Sequence, residues 1–287
     1  MKTGLVVEGG GMKCAYTSGI LDRLLDDKQH FEYAIGVSAG SSSTASFLAG
    51  QRDRNRRFFV DHITDPGYMG LSSVVRNKSF FGLDYIYMDM TSSHGVDPLD
   101  YDTMMSSGTD FRITATDAET GKPHYFRKEE IKKDDYRYFM ATCALPVMCK
   151  PVEIDGRNYF DGGCSDSIPY KKALADGCDR IVVILCRPTD TVRVPEKHMH
   201  LIRRRMHKYP NIVDDIANRH NSYNKQLSGL LELKNQGKAF IFAPKVQLDI
   251  TTYTKDQNKL QSLYDMSIDD YNTGDGAAYF NFMNATI

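Results

Sequence analysis

Residues 36–40 read Gly-Val-Ser-Ala-Gly, the G-x-S-x-G spacing of a nucleophile elbow. In such an elbow a sharp strand-to-helix turn lifts the serine, here Ser38, into a strained position. The glycines two residues either side, Gly36 and Gly40, leave room for the neighbouring strand and helix. The N-terminus of the following helix favours negative charge developing beside the serine. The pattern also occurs in plain βα turns, so its force comes from context: it follows a short apolar run and opens a helical one.

A serine hydroxyl becomes a useful nucleophile only with donors for the oxyanion and a base for its proton. Residues 9–14, Gly-Gly-Gly-Met-Lys-Cys, stand between the first strand pattern and the first helix pattern. Such a loop could cradle a phosphate at a helix N-terminus, supply oxyanion N–H groups, or be a tight structural turn. The dinucleotide fingerprint needs glycine where Cys14 stands, and no clear acidic residue ends a second strand about 20 residues later. There is no GK[ST] either, so it is not a P-loop. The oxyanion reading is favoured, because the elbow follows one βα unit later. Adjacent strand ends would then bring Gly9, Gly10, Gly11 and Met12 beside Ser38.

Of the eight histidines, none sits late in the chain in an obvious strand-end loop. His220 could act as base only if an amphipathic helix delivered it. Asp161 is the better candidate. It closes a short strand pattern and precedes Gly162 and Gly163, which let backbone approach closely. A carboxylate in a dehydrated site can take a proton directly when burial adjusts its pKa. A turn aspartate after a strand is the competing reading.

These residues need a frame. Thr3–Val7 with Glu8, Tyr33–Val37, residues 110–118 and residues 180–186 read as buried strands, with helical spacing over residues 13–27 and 38–50 between the first of them. His124–Arg127 pairs with residues 110–118 like a hairpin. Val152–Ile154 and residues 158–160 flank a turn at Asp155-Gly156-Arg157, and residues 135–144 and 169–176 read as helices. Strands alternating with helices imply a mostly parallel α/β sheet. Residues 51–105 are irregular and aromatic-rich and read as a cap over the C-terminal edge of that sheet, where α/β sites lie. From residue 191 on the chain reads as a mainly helical extension packed on one domain spanning 1–287, with a strand at 240–242 and helical patterns over 211–235 and 255–282.

The chain has 287 residues, 41% apolar and 25% charged, with a formal net charge of −1. That balance gives no reason to expect a nucleic-acid partner. The six cysteines form no CxxC pair and no zinc spacing, and no acidic loop resembles a calcium site, so no metal or cofactor is expected. With no export signal, the expected setting is the cytoplasm, with thiols reduced. The longest apolar runs fall far short of the roughly 20 residues that span a bilayer. Contact with the inner membrane surface would then be peripheral. The basic run Arg203-Arg204-Arg205 with His207 and Lys208 could meet anionic headgroups, or be a solvated helix face.

Together, Gly9–Cys14, Gly36–Gly40 and Asp161–Gly163 resemble the glycine-rich oxyanion loop, elbow and Asp-Gly-Gly motif of the patatin-like phospholipase family, in that family's order. Residues 113–126 and 141–152 resemble its strand-and-hairpin segment and its helix-to-proline segment. The likeness covers about residues 3–190. It implies a three-layer α/β/α sandwich and a Ser38–Asp161 dyad with no histidine, acting on lipid or other carboxylic esters through an acyl-enzyme. Loop N–H groups would hold the oxyanion, and Lys13 keeps the family's basic position. Cys14 departs from the usual glycine; it reads as a small buried residue or as a redox-sensitive thiol near a helix N-terminus. Met69, Met88, Met90, Met104 and Met105 of the cap could line an acyl pocket or simply pack the core. The alternatives are a non-catalytic lipid- or protein-binding relative and a histidine-dependent hydrolase; oligomeric state is left open.

Overall fold

The apolar runs become one eight-stranded sheet in a computed structural model that describes residues 1–247 and 249–285. Its strands are β1 (Thr3–Val7), β2 (Tyr33–Val37), β3 (Asp110–Asp117), β4 (Pro123–Arg127), β5 (Val152–Ile154), β6 (Arg157–Asp161), β7 (Arg180–Ile184) and β8 (Ala239–Phe242). The order across the sheet is β5-β6-β3-β2-β1-β7-β8, with β4 also on β3. From β3 to β8 every pairing on that path is parallel, whereas β4, β5 and β6 pair antiparallel. This is the mixed, mostly parallel α/β sheet that strand–helix alternation implies.

Side chains alternate across β1. Leu5 and Val7 enter a cluster with α1 (Cys14–Asp26) and α2 (Ala39–Leu48), while Val6 faces a second cluster with Tyr223, Leu227 and Leu230 of the helix Pro210–Asn235. Helices thus cover both faces, giving three layers. The first face is completed by the helix Gln257–Asp270, which packs along α1. The C-terminal segment therefore does more than extend the domain: it supplies β8 and part of both helical layers. The last two residues of the expected 1–287 span lie outside the described residues.

Some boundaries shift. Lys13 closes a 3-10 turn, Gly11–Lys13, and α1 begins at Cys14. The expected helix over 255–282 is two helices, broken near Gly274, whose φ of 159° an L side chain would resist. Residues 51–105 form short helical turns whose aromatic residues Phe58, Phe59, Tyr68 and Tyr87 are buried in the same cluster as α1 and α2. Buried Arg54 fastens this segment, donating to Ser46 Oγ, Thr91 Oγ1 and the Asp97 carbonyl. The cap is therefore a fixed wall continuous with the core.

Candidate active site

The register of β3 brings Ser38 and Asp161 together. β4 occupies one edge of β3 over Arg112–Thr116, so β2 and β6 must share the other. Val37 at the end of β2 pairs with Thr114, and Asp161 at the end of β6 pairs with Ala115. The two strands meet end-on, their C-termini one step apart. Ser38 follows immediately, at φ 53° and ψ −133°, a conformation unusual for a side chain that has a Cβ. Its N–H donates to Thr142 Oγ1 at 2.7 Å, and the Thr142 hydroxyl donates on to the Thr114 carbonyl.

Close packing explains the motif glycines. A Cβ on Gly40 would lie 2.5 Å from the Glu8 carbonyl oxygen, and one on Gly9 would lie 2.7 Å from Ser38 Cβ. The glycine loop is thereby pressed against the elbow. The N–H groups of Gly10 and Gly11 enter no hydrogen bond among the described residues. Gly36 lies against Ser41, Gly162 against Thr114 and Gly163 beside Arg219. Met12 is buried, and Lys13, half-buried, has its pKa lowered by burial and then by the charge of Arg187.

Asp161 is buried. Its Oδ1 accepts from the Gly163 N–H at 2.7 Å, while Oδ2 has no hydrogen-bond partner among the described residues. Burial raises the pKa of this carboxyl; the positive charge of Arg219, the Ser38 hydroxyl nearby and the Gly163 N–H oppose that rise. Ser38 stands close enough to bear on the carboxyl without completing a hydrogen bond to Oδ2.

Two hollows meet at Ser38. One, about 500 Å³, is polar and is lined by Gly9, Gly10, Asp161, Arg187, Arg193 and Arg219 among others. The other, about 40 Å³, is apolar and walled by Phe58, Phe59, Tyr68, Phe81, Leu83 and Tyr87. None of the five cap methionines lines either hollow; Met69, Met90 and Met104 are core residues. Of the two readings of those methionines, core packing is the one their positions support; the apolar hollow is walled mainly by aromatic rings.

Cys14 is fully buried, and a hydrogen bond with Cys186 and then burial raise its pKa, so the redox-sensitive thiolate reading fails. His220 does line the polar hollow, but its Nδ1 is buried without a partner among the described residues. A triad base needs a group to orient it, and none is present there. Arg203, Arg204 and Arg205 are exposed on the helix Met199–Arg205.

Sequence motifs did not reveal Thr142, Arg187, Arg193 or Arg219. Arg187 lies just beyond β7 at the C-terminal edge of the sheet, a position that itself signals a site. Arg219 shares a helix face with Asp215 and Tyr223 at i, i+4 spacing.

A family model described as patatin-like phospholipase matches residues 5–174, well over half of the chain. A second, described only as a domain of unknown function, matches residues 209–273. YjjU of Escherichia coli K12, itself described as uncharacterized, is 30% identical over 197 residues, which are 67% of this chain and 54% of YjjU. The chain thus spans about half the length of that relative. VipD from Legionella pneumophila aligns over 95% of this chain and 67% of its own at 12% identity, with a TM-score of 0.44.

Proposed function

The chain belongs to the patatin-like phospholipase family, and from that premise we propose that it is a serine acyl hydrolase acting on carboxylic esters of lipids. The meeting of β2 and β6 carries this reading: it sets Ser38 and the open oxygen of Asp161 on one cavity.

In the proposed reaction Asp161 Oδ2 takes the Ser38 proton as Ser38 Oγ bonds to the ester carbonyl carbon. The N–H groups of Gly10, Gly11 and Met12 receive the oxyanion, with Gly9 fixing the loop. The carbon–oxygen bond to the alcohol breaks, and Asp161 returns its proton to the departing alkoxide. Water then gives a proton to Asp161 while its oxygen bonds to the acyl carbon. The acid leaves as Ser38 regains its hydrogen. No metal or cofactor enters this scheme.

The acyl group occupies the aromatic hollow and the alcohol the polar one. Val192 and Val194, 75% and 70% exposed, flank the polar hollow where an amphiphile would enter. No helix among the described residues is long and apolar enough to cross a membrane, so the proposed contact with lipid is peripheral. The C-terminal segment belongs to the same unit in this reading, because it walls the cavity.

Hydrolysis of a short p-nitrophenyl ester by wild type, Ser38→Ala, Asp161→Asn and His220→Ala tests the scheme. Loss in the first two and retention in His220→Ala is expected; full activity in Asp161→Asn would remove the dyad. Mapping a fluorophosphonate adduct by mass spectrometry locates the nucleophile independently.

A further inference from the structure

Two of the cations around the polar hollow make no direct ion pair among the described residues, although the charge of Arg219 is felt by Asp161. Arg187 is paired, its Nη1 2.5 Å from Glu8 Oε1. Arg193 and Arg219 form no ion pair within 4.0 Å among the described residues; of the acidic side chains lining the hollow, neither Asp161 nor Glu196 reaches them. Arg193 instead lies over the Tyr223 ring, 4.1 Å from its centroid, and Asn224 fixes its backbone through bonds of 2.9 Å at both N–H and carbonyl. Arg219 Nε is buried without a hydrogen-bond partner among the described residues. Burial, then the like charges of Arg187 and Arg219, lower the Arg193 pKa to about 10. Crowding like-charged, half-buried guanidinium groups on one wall with no direct ion pair costs free energy that a bound anion would offset.

We infer that Arg193 and Arg219 form a subsite for a phosphate carried on the alcohol portion of the ester. They line the polar hollow and not the aromatic one, so with the acyl group in the aromatic hollow the anion belongs to the leaving group. Planar guanidinium forks suit phosphate oxygens better than a point charge would. Both residues lie beyond the stretch 5–174 that matches the family, which makes the subsite a property of this chain's C-terminal segment. The inference rests on the hydrolase reading above.

Hexanoylglycerol and hexanoylglycerol 3-phosphate share an acyl chain and differ in charge. Wild type should favour the phosphate ester in kcat/KM by about tenfold or more, the scale of a charge-assisted contact. In Arg193→Gln that ratio should fall about tenfold, and Arg193→Lys should restore part of it. An unchanged ratio in a folded Arg193→Gln, or no preference in wild type, overturns the subsite. Calorimetry with hexyl phosphate and inorganic phosphate separates headgroup from free anion. Tighter binding of hexyl phosphate, lost in Arg193→Gln, supports the inference even if neither ester is cleaved, an outcome that would sink the hydrolase reading alone. Equal binding of the two phosphates would make the site one for a free anion and overturn the headgroup assignment.

Discussion

Thr142 Oγ1 accepts the backbone N–H of Ser38 at 2.7 Å while its own hydroxyl is donated to the Thr114 carbonyl. One side chain thereby ties the elbow to β3. Replacing it with valine leaves a buried N–H without an acceptor, which costs about 1–3 kcal/mol. Thr142→Val should lower both Tm and kcat, and Thr142→Ser should keep both near wild type. Thermal melts alongside ester turnover check this.

Gly9→Ala should pull the proposed oxyanion loop away from Ser38. The new methyl would lie 2.6 Å from the Val37 carbonyl oxygen and 2.7 Å from Ser38 Cβ, so the loop must retreat. Displacing one oxyanion donor costs roughly 10²–10³ in kcat. A turnover within twofold of wild type would mean that the loop plays no part in the reaction.

In the proposed dyad Asp161 can take a proton only when ionised, and burial raises its pKa. Activity should therefore fall with pH through an acid limb lying above the ordinary carboxyl value of about 3.9. Arg219 is the strongest influence holding that pKa down. In Arg219→Gln the limb should move to higher pH, so activity disappears sooner on acidification. A profile of log kcat/KM against pH gives the sign directly.

The same burial predicts a trade between stability and function. Above its raised folded pKa, Asp161 is ionised with Oδ2 unsatisfied, which destabilises the fold; the cost fades as pH falls through that pKa and is gone below the ordinary carboxyl value of about 3.9. Asp161→Asn can keep the Gly163 N–H bond and remove the charge. It should be inactive yet melt about 2–4 °C higher near pH 8, for roughly 1 kcal/mol. That gain should shrink as the pH falls.

The aromatic hollow, about 40 Å³, holds few atoms. A short acyl group should be preferred, with kcat/KM highest at two to four carbons on the order of a p-nitrophenyl series. Phe81, 8% exposed and walling the hollow, limits it. Phe81→Ala should shift the optimum to longer chains; an optimum at long chains in wild type would place the acyl group elsewhere.

Much of the frame was legible because its signals are local. β1, β2 and β7 are short apolar runs, and Gly36, Gly40 and Gly9 mark places where backbone packs on backbone. Asp161 was legible as a candidate base from its strand end and following glycines, and family likeness favoured it over a plain turn aspartate; its alignment with Ser38 depends on which edge of β3 each strand takes. Arg193 and Arg219 carry no motif; only the tertiary wall shows them beside the cavity. The cap methionines left two readings open because flexible apolar side chains suit a core as well as a pocket, and for Cys14 the small buried residue is the reading that its burial supports.

Since Ser38 and Asp161 are joined through β3, the pair forms only once three strands spread over residues 33–161 have assembled. Helices form from local contacts, whereas end-on alignment of β2 and β6 needs the long-range pairings completed. On refolding from denaturant, helical circular dichroism should return before ester turnover does. Turnover would thus report when β2 and β6 have both taken their places on β3.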